Sequence, residues 1–149
     1  MNALSLRFTY NPETGIFYRG TKQAGYVDKK TGYTKIMFQN KNYFAHRLAF
    51  LYMTGNFPEG HVDHINHNRS DNAWSNLRDV PQEVNNQNTA KAKVSNKLQV
   101  LGVRQRGNSY TASLGIDKKH IHLGTFSSSE EAHEAYIKAK RDLHVGCTL

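Results

Sequence analysis

Cysteine is nearly absent. Cys147 is alone among 149 residues, which excludes an intrachain disulfide and any multi-cysteine zinc site. Long apolar runs are missing as well, and no stretch approaches the roughly 20 apolar residues of a membrane span. Met1-Asn2-Ala3-Leu4-Ser5-Leu6-Arg7 has no basic segment followed by an apolar one, so no signal peptide is expected. A cytoplasmic protein without structural zinc and without a membrane partner is the simplest expectation. Acidic residues are few, 12 against 20 Lys+Arg, for a formal net charge of +8 and a pI of about 9.6. A basic excess of that size is what a polyanion-binding chain carries. Apolar residues make up 38% and the mean hydropathy is negative. That supports small cores rather than one large one, in one ordinary domain or two small ones.

What is present begins with turn signals. Asn11-Pro12-Glu13-Thr14-Gly15 is a turn, with Gly15 where a positive φ is needed. Phe8-Thr9-Tyr10 and Ile16-Phe17-Tyr18 read as the arms of a hairpin. Gly25-Tyr26-Val27 is a short strand, and Lys29-Lys30-Thr31-Gly32 turns into β-rich Tyr33–Phe38. Asn40-Lys41-Asn42 turns again into Tyr43-Phe44. From Ala45 the period becomes helical through Leu48, Ala49 and Tyr52, with Gly55 as the stop. His46 and Arg47 are expected on the surface of that helix. His61-Val62-Asp63-His64 is a short strand and Leu77-Arg78-Asp79-Val80 a second. Asn66 to Asn72 is a polar loop between them. Pro81 suits the first position of a helix over Gln82 to Asn88.

Residues 62–88 hold the chemistry. His64 titrates near neutral pH and can act as a general base. Asp63 alternates to the other side of the strand, so the two can serve one site only if the strand ends at His64. Aspartate and amide oxygens are hard ligands that suit Mg²⁺, and Asn85 on the following helix would supply the amide. Taken together, Val62-Asp63-His64-Ile65-Asn66-His67-Asn68, Asp71-Asn72, Asn76-Leu77-Arg78 and Asn85 resemble the ββα-metal motif of HNH endonucleases, phage homing endonucleases in particular. The resemblance implies His64 as general base, Asp63 and Asn85 as ligands of one divalent metal, and Asn76 as the catalytic-loop asparagine that ties the loop and helps orient the histidine. The last ligand is often histidine in the wider family, and here it is Asn85, with Asn86 and Asn88 as close rivals. Arg78 or Arg69 would steady a neighbouring phosphate. His61 and His67 are expected to be surface or phosphate-contacting histidines rather than metal ligands.

Residues 89–99 are small and basic, either a linker that would follow the phosphate backbone of DNA or a merely solvated connector. Beyond it, Val100 to Gln105, Tyr110 to Ile116 and His120 to Thr125 read as three strands. Arg106-Gly107-Asn108 and Asp117-Lys118-Lys119 are the turns. Ser128 with Glu131 has capping-box spacing, and Ala132, Ala135, Tyr136, Ala139 and Leu143 form one apolar helical face. Gly102-Val103-Arg104-Gln105-Arg106, Leu123-Gly124-Thr125-Phe126, Glu130-Glu131-Ala132 and Ala135-Tyr136 resemble the plant ethylene-response-factor (APETALA2) DNA-binding domain. That resemblance implies a three-stranded sheet laid in the major groove, with Arg104, Arg106, Tyr110, His120 and His122 at DNA-contacting positions. The turn after Arg106 is one residue shorter than the family's and lacks its tryptophan, so the base sequence read does not carry over.

The expected fold class is α+β. A nuclease domain spans 1–89, with its ββα-metal motif over about 61–89. A basic linker covers 90–99 and a DNA-binding domain 100–149. The expected function is site-specific, metal-dependent cleavage of double-stranded DNA in a host cytoplasm. No protein partner is implied. A monomer suits two dissimilar units, and a dimer would make a double-strand break. The alternative is a DNA-binding regulator with an inactive nuclease fold.

Overall fold

Asn11 starts the architecture. Its Oδ1 accepts the backbone N–H groups of Glu13 (2.9 Å) and Thr14 (3.3 Å). That bends the chain so that β1 (Thr9–Asn11) pairs antiparallel with β2 (Ile16–Arg19). The computed structural model describes residues 3–89, 92, 95–116 and 119–148. The chain divides into two compact units, Met1–Gln82 and Glu83–Leu149, and each is described by itself. The class is α+β with small antiparallel sheets, as the periodicity predicts.

In the first unit, β3 (Lys22–Gln23) extends the hairpin into a three-stranded sheet. A second sheet follows from β4 (Tyr26–Val27), β5 (Thr34–Phe38) and β6 (Lys41–Phe44). The helix α1 (Ala45–Thr54) ends at Gly55, in the left-handed conformation at φ 83°, whose N–H donates to the Leu51 carbonyl. Alternation on β5 buries Ile36 and Phe38 and exposes Met37. Helical spacing on α1 buries Leu48 and Ala49. These residues join Leu4, Phe8, Tyr10 and Phe17 in one core, where each large side chain contributes about 1.5–3 kcal/mol. The ribbon of β7 (His61–His64) and β8 (Leu77–Val80) is seated on it through Val62 and Leu77. One 3₁₀ turn, Trp74–Asn76, which the residue pattern did not reveal, leads into β8.

The hairpin turn fixes the loop between β7 and β8. Trp74 N–H donates to Pro12 O (2.8 Å), and the Tyr10 hydroxyl donates to Asn72 O (2.7 Å). Burial pushes the Tyr10 phenol up to about 12, helped by the negative charge of Asp71, so it stays a donor. At Gly15 (φ 70°) the turn presses on the Asn72–Ala73 peptide, and a Cβ there would lie 2.1 Å from the Asn72 carbonyl carbon.

The short helix α2 (Gln82–Gln87) stands at the division between the units. The second unit is built on the antiparallel sheet β9 (Val103–Arg106), β10 (Ser109–Ile116) and β11 (Lys119–Phe126), covered by α3 (Ser129–Leu143). The expected first strand began at Val100 but starts three residues later. Gly102 sits at φ 76° with no room for a Cβ, which would come within 2.0 Å of the Tyr136 ring. Leu98, Val100 and Leu101 pack on the core as irregular chain instead. Ser128 caps α3 as its spacing predicts, accepting the Glu131 N–H at 3.1 Å. Ala132 and Tyr136 are buried, but Leu143, expected on the same face, is half exposed. Lys140 is buried in its place, with Nζ donating to the Thr89 carbonyl. Parts of the 90–99 linker and of the 117–119 turn lie outside the described residues. No helix among the described residues is long and apolar enough to cross a membrane.

Gly15→Ala is expected to cost about 2–4 kcal/mol, because a strained φ and a backbone clash combine at one position. Urea unfolding of the variant checks this, with the loss expected in the transition that reports the first unit.

Candidate active site

The β7 strand ends at His64, the condition that lets neighbouring side chains serve one site. Beyond it, Ile65 N–H donates to Asn76 O and His67 N–H turns back to His64 O. Asp63 and His64 are both buried, 6% and 4% exposed. Asp63 pairs across the ribbon with Arg78, whose Nε and terminal nitrogen lie 2.8 and 2.7 Å from Asp63 Oδ2.

His64 is held on several sides. Its Nε2 lies 3.4 Å from Asn72 Oδ1. The Asn72 amide nitrogen donates to Ser70 O at 2.9 Å, which fixes the flip of the amide and leaves Oδ1 as an acceptor. An acceptor oxygen facing Nε2 favours the tautomer protonated at that nitrogen. Tyr33 approaches the ring at 5.8 Å between centroids and His46 at 5.2 Å, edge to face. Burial holds the His64 pKa below the usual histidine value, opposed by the Asn72 hydrogen bond and by the charges of Asp63 and Asp71. A neutral, proton-accepting imidazole near pH 7 is the consequence.

Asn76 ties the loop. Its Oδ1 accepts Asn66 N–H (2.9 Å) and its Nδ2 donates to Asp71 O (2.8 Å). The Asp71 carboxylate in turn accepts Asn66 Nδ2 (2.6 Å) and Ala73 N–H (3.1 Å). The amide facing the histidine is Asn72, which the motif contained without a role. His46 was missed altogether. It was expected at the surface of α1 and is instead 7% exposed, boxed by Tyr33 and Phe44 with ring centroids 5.2 and 5.3 Å away. It is the second residue of α1 and one of the helix's buried residues. Its Nδ1 is buried without a partner, and burial, before the effect of His64 and Arg47, pushes its pKa down to about 3. An apolar face flanked by rings was the only signal, and one histidine does not announce it. Arg69 lies 5.0 Å over the Tyr33 ring and donates to Thr31 O (3.1 Å).

Hard oxygen donors suit a hard cation. Among the described residues no cluster of three or more His, Cys, Asp or Glu is set to hold a metal. Asn85 lies on α2, in the second unit. Of its rivals, Asn88 is buried, with Oδ1 accepting the Thr148 hydroxyl, and the Asn86 carbonyl accepts the Thr89 hydroxyl at 2.8 Å.

In the second unit, cross-strand register sorts the expected DNA-contacting residues. Arg104 faces Thr111, Arg106 faces Ser109, His122 faces Ser113 and His120 faces Gly115. These positions alternate with buried Ala112 and Leu114, so the two arginines and two histidines share the sheet face away from α3. Between Ala112 and Ser113 the pairing shifts by one residue, from Gly124 to His122 on β11. Tyr110 has the opposite parity and packs against the core cluster.

Residues 43–87 match the family model of the HNH endonucleases. An HNH endonuclease domain is that of a DNA-cleaving hydrolase, and the enzyme class of the chain follows from it. DNA is the substrate such a domain implies, and HNH nucleases typically work with a divalent metal. No curated protein and no solved structure matches the chain.

The His46 environment makes stability pH-dependent. Its folded pKa of about 3 lies below the unfolded value of about 6.5. Below pH 6.5 the unfolded chain therefore binds the proton first. The neutral ring contributes its full stability above that pH and loses it as pH falls toward 3. A loss of up to about 3 kcal/mol by pH 4.5 is expected from this one group. His46→Phe should flatten that slope in denaturant titrations at pH 7 and pH 4.5.

Proposed function

We propose that this chain is a phage-type homing endonuclease that hydrolyses one phosphodiester of a specific double-stranded DNA site, working in the host cytoplasm. The observation that carries the reading is the buried Asp63–His64 pair at the end of β7, with His64 Nε2 turned to Asn72. His64 Nδ1 takes the proton of the attacking water. Asn72, Tyr33 and His46 keep the ring in place while Asn76 holds the loop beneath it. Asp63, and Asn85 by the family pattern, would hold the metal. One divalent cation, Mg²⁺ by the hardness of these donors, would supply Lewis-acid stabilisation of the scissile phosphate and the leaving 3′ oxygen. The products are a 5′ phosphate and a 3′ hydroxyl. Arg69, braced against Tyr33 next to His64, steadies a neighbouring phosphate.

The second unit supplies the address. The face carrying Arg104, Arg106, His120 and His122 enters the major groove, where arginine pairs with guanine edges. The net charge of +8 adds sequence-independent attraction to phosphate. Two dissimilar units reading an asymmetric site suit a monomer that nicks one strand.

His64→Ala is expected to abolish cleavage while DNA affinity stays within about twofold of wild type. The check is to incubate protein with phage and host DNA, with Mg²⁺ or chelator, and map the ends on each strand. Binding without cleavage by the wild-type chain would instead favour a regulatory protein on an inactive nuclease fold. Arg104→Ala should cost on the order of 1–3 kcal/mol at one base position. An equal loss on every sequence would make Arg104 a phosphate contact only.

A further inference from the structure

The helix α2 carries Asn85 but is too small to stand by itself. It is six residues long, Gln82–Gln87, and none of them is buried. Isolated helices shorter than about 12–15 residues are marginal in water. Pro81 sets the entry to the helix directly after β8, which restrains one end. The other end meets the last residues of the chain. The helix α3 ends at Leu143, and His144 ties the chain to the sheet, its Nε2 donating to the Gly115 carbonyl at 2.9 Å. The chain turns there, with Cys147 N–H donating to His144 O (3.1 Å), and comes back onto α2. Gly146 N–H donates to Gln87 Oε1 at 3.0 Å, and the Thr148 hydroxyl donates to Asn88 Oδ1. Beside them Lys140 Nζ donates to the Thr89 carbonyl. At Gly146 the approach is closer than a side chain allows. A Cβ there would lie 2.3 Å from the Val84 carbonyl oxygen and 3.1 Å from Gln87 Cβ. From Glu83 onward α2 groups with the second unit, so these contacts are internal to that unit.

We propose that Gly146 and Thr148 are positioning residues for the cleavage reaction: the C-terminal tail clamps α2 and so fixes Asn85. This rests on the reading of the chain as a nuclease with Asn85 as a metal ligand. Two restraints act on α2. The link through Pro81 fixes where the helix begins and leaves its far end to fray. The tail grips Val84 on one side of Asn85 and Gln87 and Asn88 on the other. Helix formation is cooperative, so contacts that fix those residues fix Asn85 with them. Val145 is 91% exposed and takes no part in the grip. A misplacement of about 1 Å at a reacting group can cost about 100-fold in rate. Release of the tail should therefore slow cleavage much more than it weakens DNA binding, which the sheet face of Arg104 and Arg106 would carry.

The test follows the full-length chain by three readouts: single-turnover cleavage of phage and host DNA with Mg²⁺, affinity for a random-sequence duplex in chelator, and amide hydrogen exchange. Gly146→Val should speed exchange at Asn86 and Gln87, lower the cleavage rate about 100-fold and keep duplex affinity within about twofold. Thr148→Val should lower the rate about tenfold, the worth of one hydrogen bond. Exchange in β10 should not change, which separates loss of the clamp from loss of the unit's fold. Thr148→Ser keeps the hydroxyl and should cleave like wild type, as should Val145→Ser. If Gly146→Val also loses protection in β10, the Thr148→Val and Thr148→Ser pair decides by the same criteria. Faster exchange in α2 with a wild-type cleavage rate overturns the positioning role, and so does unchanged exchange in α2. Wild-type cleavage by Asn85→Ala overturns the ligand assignment and the proposal with it. A wild-type chain that cuts no DNA overturns the nuclease reading itself.

Discussion

The contact between His64 Nε2 and Asn72 Oδ1 sets what the site can do. At 3.4 Å it lies at the long end for a hydrogen bond, so its value is directional more than energetic. It favours the proton on Nε2, and in the proposed function the other ring nitrogen is the one that accepts a proton. A buried amide can do this only if it cannot flip. The donation from Asn72 Nδ2 to Ser70 O prevents the flip, and the backbone of Asn72 is pinned by Tyr10 and pressed by Gly15. The N-terminal hairpin thereby fixes the position of the amide that faces His64.

The elements legible in the residues were those with strong local signals. The Asn11–Gly15 turn, the Gly55 stop, the two short strands around the polar loop and the Ser128 cap all rest on local chemistry, and all stand as expected. What could not be read depended on distant neighbours. His46 looks like a surface residue of a basic helix until Tyr33, Phe44 and His64 close around it. Asn72 looks like one loop asparagine among several until its amide is seen against the histidine. Arg78 looks like a free cation until register places it opposite Asp63. The late start of β9 and the buried Lys140 have the same origin, since Gly102 under Tyr136 and Thr89 beside Lys140 are tertiary contacts.

The two units divide stability in different ways. The first gathers aromatic rings around α1, with Phe8, Tyr10 and Phe17 packed edge-on or tilted. The second has a thinner core of Val103, Ala112, Leu114, Ala132 and Tyr136. There, small side chains let α3 lie close to the sheet. That leaves the opposite face of the sheet to charged and polar residues, Arg104, Arg106, His120 and His122 among them.

The most direct test of the account is the tautomer of His64, read from the ¹⁵N shifts and two-bond couplings of the imidazole at pH 7.5. The account predicts a neutral ring protonated at Nε2, with Nδ1 showing the shift of an unprotonated nitrogen. Loss of that preference is expected in Asn72→Ala. A ring protonated at Nδ1, or a tautomer unaffected by removal of Asn72, would contradict it.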